Sequence, residues 1–290
     1  MVLKMNNTLK DLIYLLRPAH WVKNLLVVAP AFFGGIVFSS FENFFTAFLS
    51  FLSFSLASSV GYIFNDILDI ENDKNHPVKK NRTIASGRVR PVNAVVLALA
   101  LLIVSILIAL KINISFTIIL LSYLVVTVLY SLGLKNLVII ESLCIAGGFL
   151  LRIAGGGASS GLSISGWLIL TTLFLSLLLA FGKRRSELNM SLENKTFRKV
   201  LAKYDKGFLD YMLYVFAASS IIAYTFYLFD TSMGLILVTI PLACFGVARY
   251  VYLARKKSKG DPTEALLKDY WLLACVIAWL IIKGLAIYVH

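Results

Sequence analysis

The sequence predicts an all-α polytopic membrane protein, and three observations carry that prediction. Apolar residues make up 59% of the 290 residues and charged residues only 15%, with a mean hydropathy of +0.84, a balance outside that of soluble domains. The apolar residues gather into runs of about 20, the length that crosses a bilayer as a helix. Lysine and arginine, in turn, fall almost entirely in alternate connections between those runs. Together these predict nine transmembrane helices in a single integral-membrane domain over residues 1–290.

In chain order the runs lie near 21–39, 44–65, 92–110, 114–132, 137–157, 164–182, 209–229, 233–253 and 270–289. The first contains Pro30 and Gly34-Gly35, and the fifth contains Glu141, Arg152 and the Gly155-Gly156-Gly157 triplet. Membrane helices tolerate glycine and proline, so both remain spans. With the N-terminus inside, connections 1–23, 66–91, 133–136, 183–208 and 249–269 share one side and hold 25 of the 28 lysines and arginines. The positive-inside rule makes that side cytoplasmic and places the C-terminus outside. The opposite connections are short (111–113, 158–163 and 230–232), so polar chemistry is expected in the cytoplasmic loops 66–91 and 183–208. The chain opens without a cleavable-signal pattern. Its net charge of +13 suits an anionic inner leaflet. Cys144, Cys244 and Cys275 lie inside apolar runs without metal-ligand spacing and are read as small core residues. His20, His76 and His290 form no ligand or triad pattern.

Acids mixed into the basic loops need a separate explanation. Asp66, Asp69 and Asp73 follow the second run at i, i+3 and i+7, so on a helix they share one face. Three carboxylates side by side repel one another unless a cation sits among them. Mg²⁺ takes one or two carboxylates and completes its shell with phosphate oxygens and water. Asp66, Asp69 and Asp73, with Asn65 as an added oxygen donor, are therefore the expected metal ligands, and the metal is expected to hold a diphosphate. Capping, or pairing with Lys74, Lys79 and Arg82, is the plain structural alternative.

A second polar cluster, Lys183, Arg184 and Glu187, ends the sixth run as the aspartates end the second. Its spacing allows i, i+3 and i, i+4 ion pairs. Repeat-related helix ends that meet at a shared site are a recurring plan in membrane proteins. Lys23, Lys135 and Arg152 are further cationic candidates. An arginine at mid-helix costs at least ~2.5 kcal/mol in a bilayer. Arg152 therefore faces a partner or cavity, or snorkels at the outer interface, and the neighbouring glycines allow close helix approach or a local break.

Asn65-Asp-x-x-Asp-x-x-x-Asp73 after the second helix resembles the first signature of the UbiA superfamily of intramembrane prenyltransferases. Arg17-Pro-x-x-Trp-x-Lys-Asn24, His76-Pro-x-Lys79, Arg82, Ile84-Ala-x-Gly87, Gly148-Phe-x-x-Arg152 and Lys183-Arg-x-x-Glu187 are similar to the decaprenyl-phosphate phosphoribosyltransferase branch. That likeness runs from about residue 10 to Gly260-Asp-Pro and the last helix, with Thr83 where the branch usually has proline. Most of the superfamily carries a second acidic cluster where this chain has Lys183-x-x-x-Glu187. One acidic and one cationic cluster suit a metal–diphosphate and a separate phosphate monoester.

The resemblance implies a UbiA-type bundle around a cavity open to the cytoplasm and to lipid. It further implies Mg²⁺-dependent transfer of 5-phosphoribosyl from 5-phosphoribosyl 1-diphosphate to a decaprenyl-phosphate-like polyprenyl phosphate, supplying a lipid-linked pentose for cell-envelope glycan synthesis in a bacterial-type inner membrane. Lys23, Lys79, Arg82, Lys135, Arg152, Lys183 and Arg184 would hold substrate phosphates, and Glu187 the ribose hydroxyls or the metal. Two other readings stay open. One is transfer of a prenyl group to an aromatic or quinone precursor, and the other is a non-enzymatic lipid or ion carrier. Nothing points to nucleic acid, and a homo-oligomer is compatible with the sequence.

Overall fold

The computed structural model of the chain describes residues 10–75, 79–194, 200–231, 235–256 and 262–289. His76 and Pro77 of the His76-Pro-x-Lys79 pattern, residues 195–199 of the second polar loop and the Gly260-Asp261 pair lie outside the described residues. Among those described, the secondary structure is helical and contains no strand.

Each of the nine expected runs carries a helix. They are α1 (Leu25–Phe33), α2 (Phe41–Leu68), α4 (Pro91–Ile112), α5 (Ile114–Leu132), α6 (Ile140–Ser160), α7 (Gly166–Asn194), α8 (Lys206–Thr231), α9 (Thr239–Arg255) and α11 (Tyr270–Tyr288), with the short helices α3 (Ile70–Lys74) and α10 (Pro262–Lys268) between them. Seven of these, α2, α4 to α8 and α11, are long and apolar enough to cross a membrane. The first and eighth runs hold shorter helices, of 9 and 17 residues. Start signals match local chemistry. Ser40 accepts the Asn43 N–H at 3.1 Å, Asn113 accepts from Phe116 at 2.7 Å, Asp269 accepts from Leu272 at 3.0 Å, and Pro91 opens α4, where no N–H is needed.

The chain divides into two compact units. The first comprises the described residues within Met1–Phe32, Ile36–Lys135 and Leu151–Leu162, and the second those within Phe33–Gly35, Asn136–Leu150 and Ser163–His290.

In the first unit α2 is the central helix. Its buried face is rich in small residues, Ser50, Ser53, Ser55, Ala57, Ser58, Ser59 and Gly61, set around Phe54 and Ile63. Small side chains let helix backbones approach when lipid provides no hydrophobic drive. Ser53 and Ser105 accordingly bridge α2 and α4 by donating to each other's carbonyls at 3.0 Å. A Cβ on Gly156 would lie 2.1 Å from the Val27 carbonyl oxygen, and one on Gly155 would lie 2.8 Å from the Phe54 ring. The glycine triplet thus serves close approach, and α6 runs through it unbroken.

The second unit packs α7 against α8, with Phe181, Leu178, Leu209, Leu213 and Leu253 in its core. A Cβ on Gly182 would lie 2.4 Å from the Tyr250 hydroxyl, which donates to the Leu179 carbonyl at 3.1 Å.

Candidate active site

The acidic segment departs from one continuous helix. The helix α2 ends at Leu68, and Asp69 (φ −96°, ψ 9°) is the junction to α3. Backbone bonds from Asp69 to Asn65 (3.0 Å) and from Asp73 to Asp69 (2.8 Å) carry the chain through the junction. The shared face therefore survives for Asp66 and Asp73, whereas Asp69 takes a different partner.

Asp66 and Asp73 are buried, with side-chain exposures of 5% and 4%. One nitrogen of Arg82, Nη1, donates to both, at 2.8 Å to Asp66 Oδ1 and 2.7 Å to Asp73 Oδ2. Arg17 Nη2 adds bonds of 2.6 and 2.8 Å to the two oxygens of Asp66. Lys135 Nζ, reaching from just past α5, holds Asp69 at 2.8 Å and Asn65 Oδ1 at 3.0 Å. Four expected ligands and two expected phosphate-binding cations thus come together, each bridging cation donating to two of the four residues. Charge-assisted bonds of these lengths are the strong kind.

Arg17 is the residue that sequence reasoning passed over. In the sequence it is one residue of the Arg17-Pro-x-x-Trp-x-Lys-Asn24 pattern, with nothing to mark its role. Its backbone is left-handed (φ 51°, ψ 58°), a conformation that costs a non-glycine residue about 1–3 kcal/mol and collects at functional sites. Its guanidinium also lies over the Tyr62 ring at 5.1 Å. The rest of that motif docks a short 3₁₀ helix, Pro18–Asn24, onto α2. Trp21 donates to Ser59 Oγ at 3.1 Å, and Asn24 to Ser55 and Ser58 at 3.1 and 3.2 Å.

Arg152 is buried, and its partners resolve the two sequence-based readings against snorkelling. Its Nε donates to Asn24 Oδ1 at 2.7 Å and its Nη2 to the Tyr123 hydroxyl at 3.1 Å, with the guanidinium 4.7 Å from that ring's centroid. Lys23 lies in the last turn of the 3₁₀ helix and Lys79 opens the turn before Arg82; both are half-buried.

Lys183, Arg184 and Glu187 belong to the second unit. Arg184 is 2% exposed, and its Nη1 lies 2.9 Å from Glu187 Oε2 and 3.5 Å from Glu141 Oε2. Glu141 is fully buried at the first turn of α6. Just before it, Ile139 adopts φ +67°, unusual for a β-branched residue. The Ile139 N–H donates to the Tyr204 hydroxyl at 2.9 Å, and burial pushes the Tyr204 phenol above its usual range. Glu141 is a second residue whose role the sequence leaves unassigned. An acid inside an apolar run was its signal.

Among the described residues, no group of three or more His, Cys, Asp or Glu side chains converges to hold a metal ion. Mg²⁺ needs only one or two carboxylates, with substrate and water completing six oxygens. The hard, oxygen-only pairs Asp66 with Asp73 and Asn65 with Asp69 already surround one cationic nitrogen each, so the residues fit such an ion.

The chain matches the UbiA prenyltransferase family over residues 27–276. It belongs to that family. Among its UbiA relatives, the decaprenyl-phosphate phosphoribosyltransferase of Mycolicibacterium smegmatis is 31% identical over 298 residues, covering 97% of this chain and 94% of that protein. The protein of the same name from Corynebacterium glutamicum is 31% identical, covering 98% and 88%. The solved UbiA homolog of Archaeoglobus fulgidus, bound to DMAPP and Mg²⁺, superposes with a TM-score of 0.75 at 21% identity, over 96% of this chain and 98% of that one. This UbiA chain is an integral membrane enzyme, a transferase.

Proposed function

We propose that the protein transfers 5-phosphoribosyl from 5-phosphoribosyl 1-diphosphate to a polyprenyl phosphate, releasing diphosphate. The observation that carries this reading is the mixed charge of the first unit's site. Buried Asp66 and Asp73 and the half-buried Asp69 are balanced by Arg17, Arg82 and Lys135. Such a site accepts a metal-bound diphosphate as a whole, with carboxylates for the cation and guanidinium and ammonium groups for the anion. The near-full-length likeness to proteins named decaprenyl-phosphate phosphoribosyltransferase supports phosphoribosyl as the group moved and a polyprenyl phosphate as its acceptor.

Asn65, Asp66, Asp69 and Asp73 would hold Mg²⁺, which when bound neutralises the charge of the leaving diphosphate. Arg17, Arg82 and Lys135 turn their N–H donors from the carboxylates to the diphosphate oxygens and orient the donor. The bond from C1 to the diphosphate oxygen breaks as a bond from C1 to an acceptor phosphate oxygen forms. The acceptor is already anionic at neutral pH, so its oxygen needs no general base. Lys79 and Lys23 are assigned to phosphate. In the second unit, Lys183 is assigned to phosphate and Glu187, held by Arg184, to ribose hydroxyls. The polar loops 66–91 and 183–208 and the N-terminus are assigned to the cytoplasmic side, where a soluble sugar diphosphate arrives.

The test is purified protein in detergent with Mg²⁺, labelled 5-phosphoribosyl 1-diphosphate and decaprenyl phosphate. Labelled lipid is expected. A folded preparation that yields none, but consumes a prenyl diphosphate in the presence of an aromatic acceptor, replaces this reading with prenyl transfer.

A further inference from the structure

Away from the two clusters, the second unit contains a cavity of about 490 Å³ whose wall is cationic. Arg185 of α7, Lys206 of α8, and Arg255 and Lys256 at the end of α9 line it, together with Tyr252. The floor is rigid. Arg185 is 3% exposed in its side chain, donates from Nε to Asp210 Oδ1 at 2.7 Å and is braced by Asn189. Asn189 in turn donates to the Arg255 carbonyl at 3.1 Å, tying α7 to the end of α9. The rim is open, with Lys206 and Lys256 exposed and Arg255 half-exposed.

Four cations line this wall, and Asp210 is the carboxylate ion-paired to it among the described residues, at 2.7 Å from Arg185 and 3.6 Å from Arg255. That leaves the cavity strongly positive. Concentrated positive charge on guanidinium and ammonium groups around a space of this size selects a phosphate-bearing anion.

The surroundings indicate where that phosphate comes from. Tyr214, over which Arg255 lies at 5.7 Å from ring centroid to guanidinium, is 46% exposed on the membrane-spanning α8, and the adjacent Val215 is 51% exposed. Tyr252, with Lys256 at 4.5 Å from its ring, is 48% exposed. Exposed tyrosines beside cations at a helix end mark the interface between acyl chains and water. A soluble phosphate has no use for that apolar approach, whereas a lipid lays its chains along it.

We infer that this cavity is a binding site for the phosphate of an anionic membrane phospholipid. The full-length protein in detergent is titrated with phosphatidylglycerol or phosphatidylcholine and bound lipid is counted by native mass spectrometry, with glycerol 3-phosphate as soluble competitor. Wild type is expected to prefer phosphatidylglycerol. Lys206→Gln/Lys256→Gln, which alters two exposed side chains, is expected to weaken that lipid about 30-fold, at roughly fivefold per cation near an anionic surface. Lys74→Gln/Lys80→Gln removes the same charge elsewhere and is expected to leave the affinity unchanged. Equal binding of both lipids, an equal loss in the two double variants, or displacement of the lipid by millimolar glycerol 3-phosphate would overturn the assignment.

Discussion

The two charged clusters are built from similar groups but differ in how firmly those groups are held. In the first unit the carboxylates of Asp66 and Asp73 are buried, and the cations facing them lie nearer water, with Arg17 22% and Arg82 25% exposed in their side chains. In the second unit the cation is buried about as deeply as its deepest acid, and Glu187 is the member nearest water. Arg184 is 2% exposed between Glu141 at 0% and Glu187 at 25%. A cation at the edge of a polar site can turn toward an arriving anion at small desolvation cost. A cation sealed among acids has already lost its water, and moving it would strand buried charge. The first cluster is therefore built to exchange partners and the second to stay fixed, with Arg184 as the support of Glu187.

Asp66→Asn is expected to break the comparison most severely. It weakens a proposed metal ligand and takes from Arg17 and Arg82 the negative charge they share. Loss of one preorganised electrostatic partner costs about 10²–10³ in rate, so label transfer into lipid is expected to fall by that much or more. Retention of full transfer would remove the acidic cluster from the reaction.

Next in size is Arg184→Met. It leaves Glu141 buried without its cation, and removing one partner of a buried pair costs about 3–5 kcal/mol. Thermal unfolding in detergent is expected to fall by many degrees. Adding Glu141→Gln is expected to recover about 1 kcal/mol or more as coupling between neighbours. If the two substitutions simply add, the cluster is not a unit.

Lys135→Met sharpens the contrast from the other side. Asp69 is 23% exposed in its side chain, so water can replace the ammonium, and stability is expected to change by less than about 1 kcal/mol. Transfer is nevertheless expected to drop about tenfold, as befits one lost phosphate contact. Equal losses in stability and transfer would mean that Lys135 is merely structural.

Much of the fold was legible because a bilayer imposes length and polarity on each helix separately. All nine apolar runs carry helices, and the Pro30 and glycine-rich runs, the ambiguous ones, became a nine-residue helix and an unbroken 21-residue helix. The acids at 66, 69 and 73 were legible as a group by spacing alone. Their sorting was not. Lys135 reaches Asp69 across 66 residues and Arg17 reaches Asp66 across 49, and pairings of that span depend on helix packing, which no local period encodes. The left-handed backbone of Arg17 and Ile139 was equally hidden, because neither residue type announces positive φ. Glu141 and Arg152 are legible in the sequence as charges in apolar runs. Only packing revealed their partners.

Arg82→Lys, with an expected effect no larger than that of Lys135→Met, is the finest test of the contrast. Arg82 holds Asp66 and Asp73 through the same nitrogen, at 2.8 and 2.7 Å, so an ammonium could in principle bridge both oxygens. Lysine, however, is a compact point charge on a flexible stem, without the planar fork that also presents donors to a phosphate. If Arg82 served only to neutralise two buried carboxylates, lysine would restore both stability and transfer. If it also turns to the diphosphate, stability is expected to stay within about 1 kcal/mol of wild type while transfer falls about tenfold. The fall should come through a raised KM for the sugar diphosphate, because the lost contact orients that substrate. Arg82→Gln supplies the reference. It is expected to lose stability and transfer together, since it leaves Asp66 with Arg17 alone and takes from Asp73 the bond that Arg82 supplies. A lysine variant that matches glutamine in both measurements would show that the guanidinium is locked in place, and the distinction between an exchangeable first cluster and a fixed second one would fail.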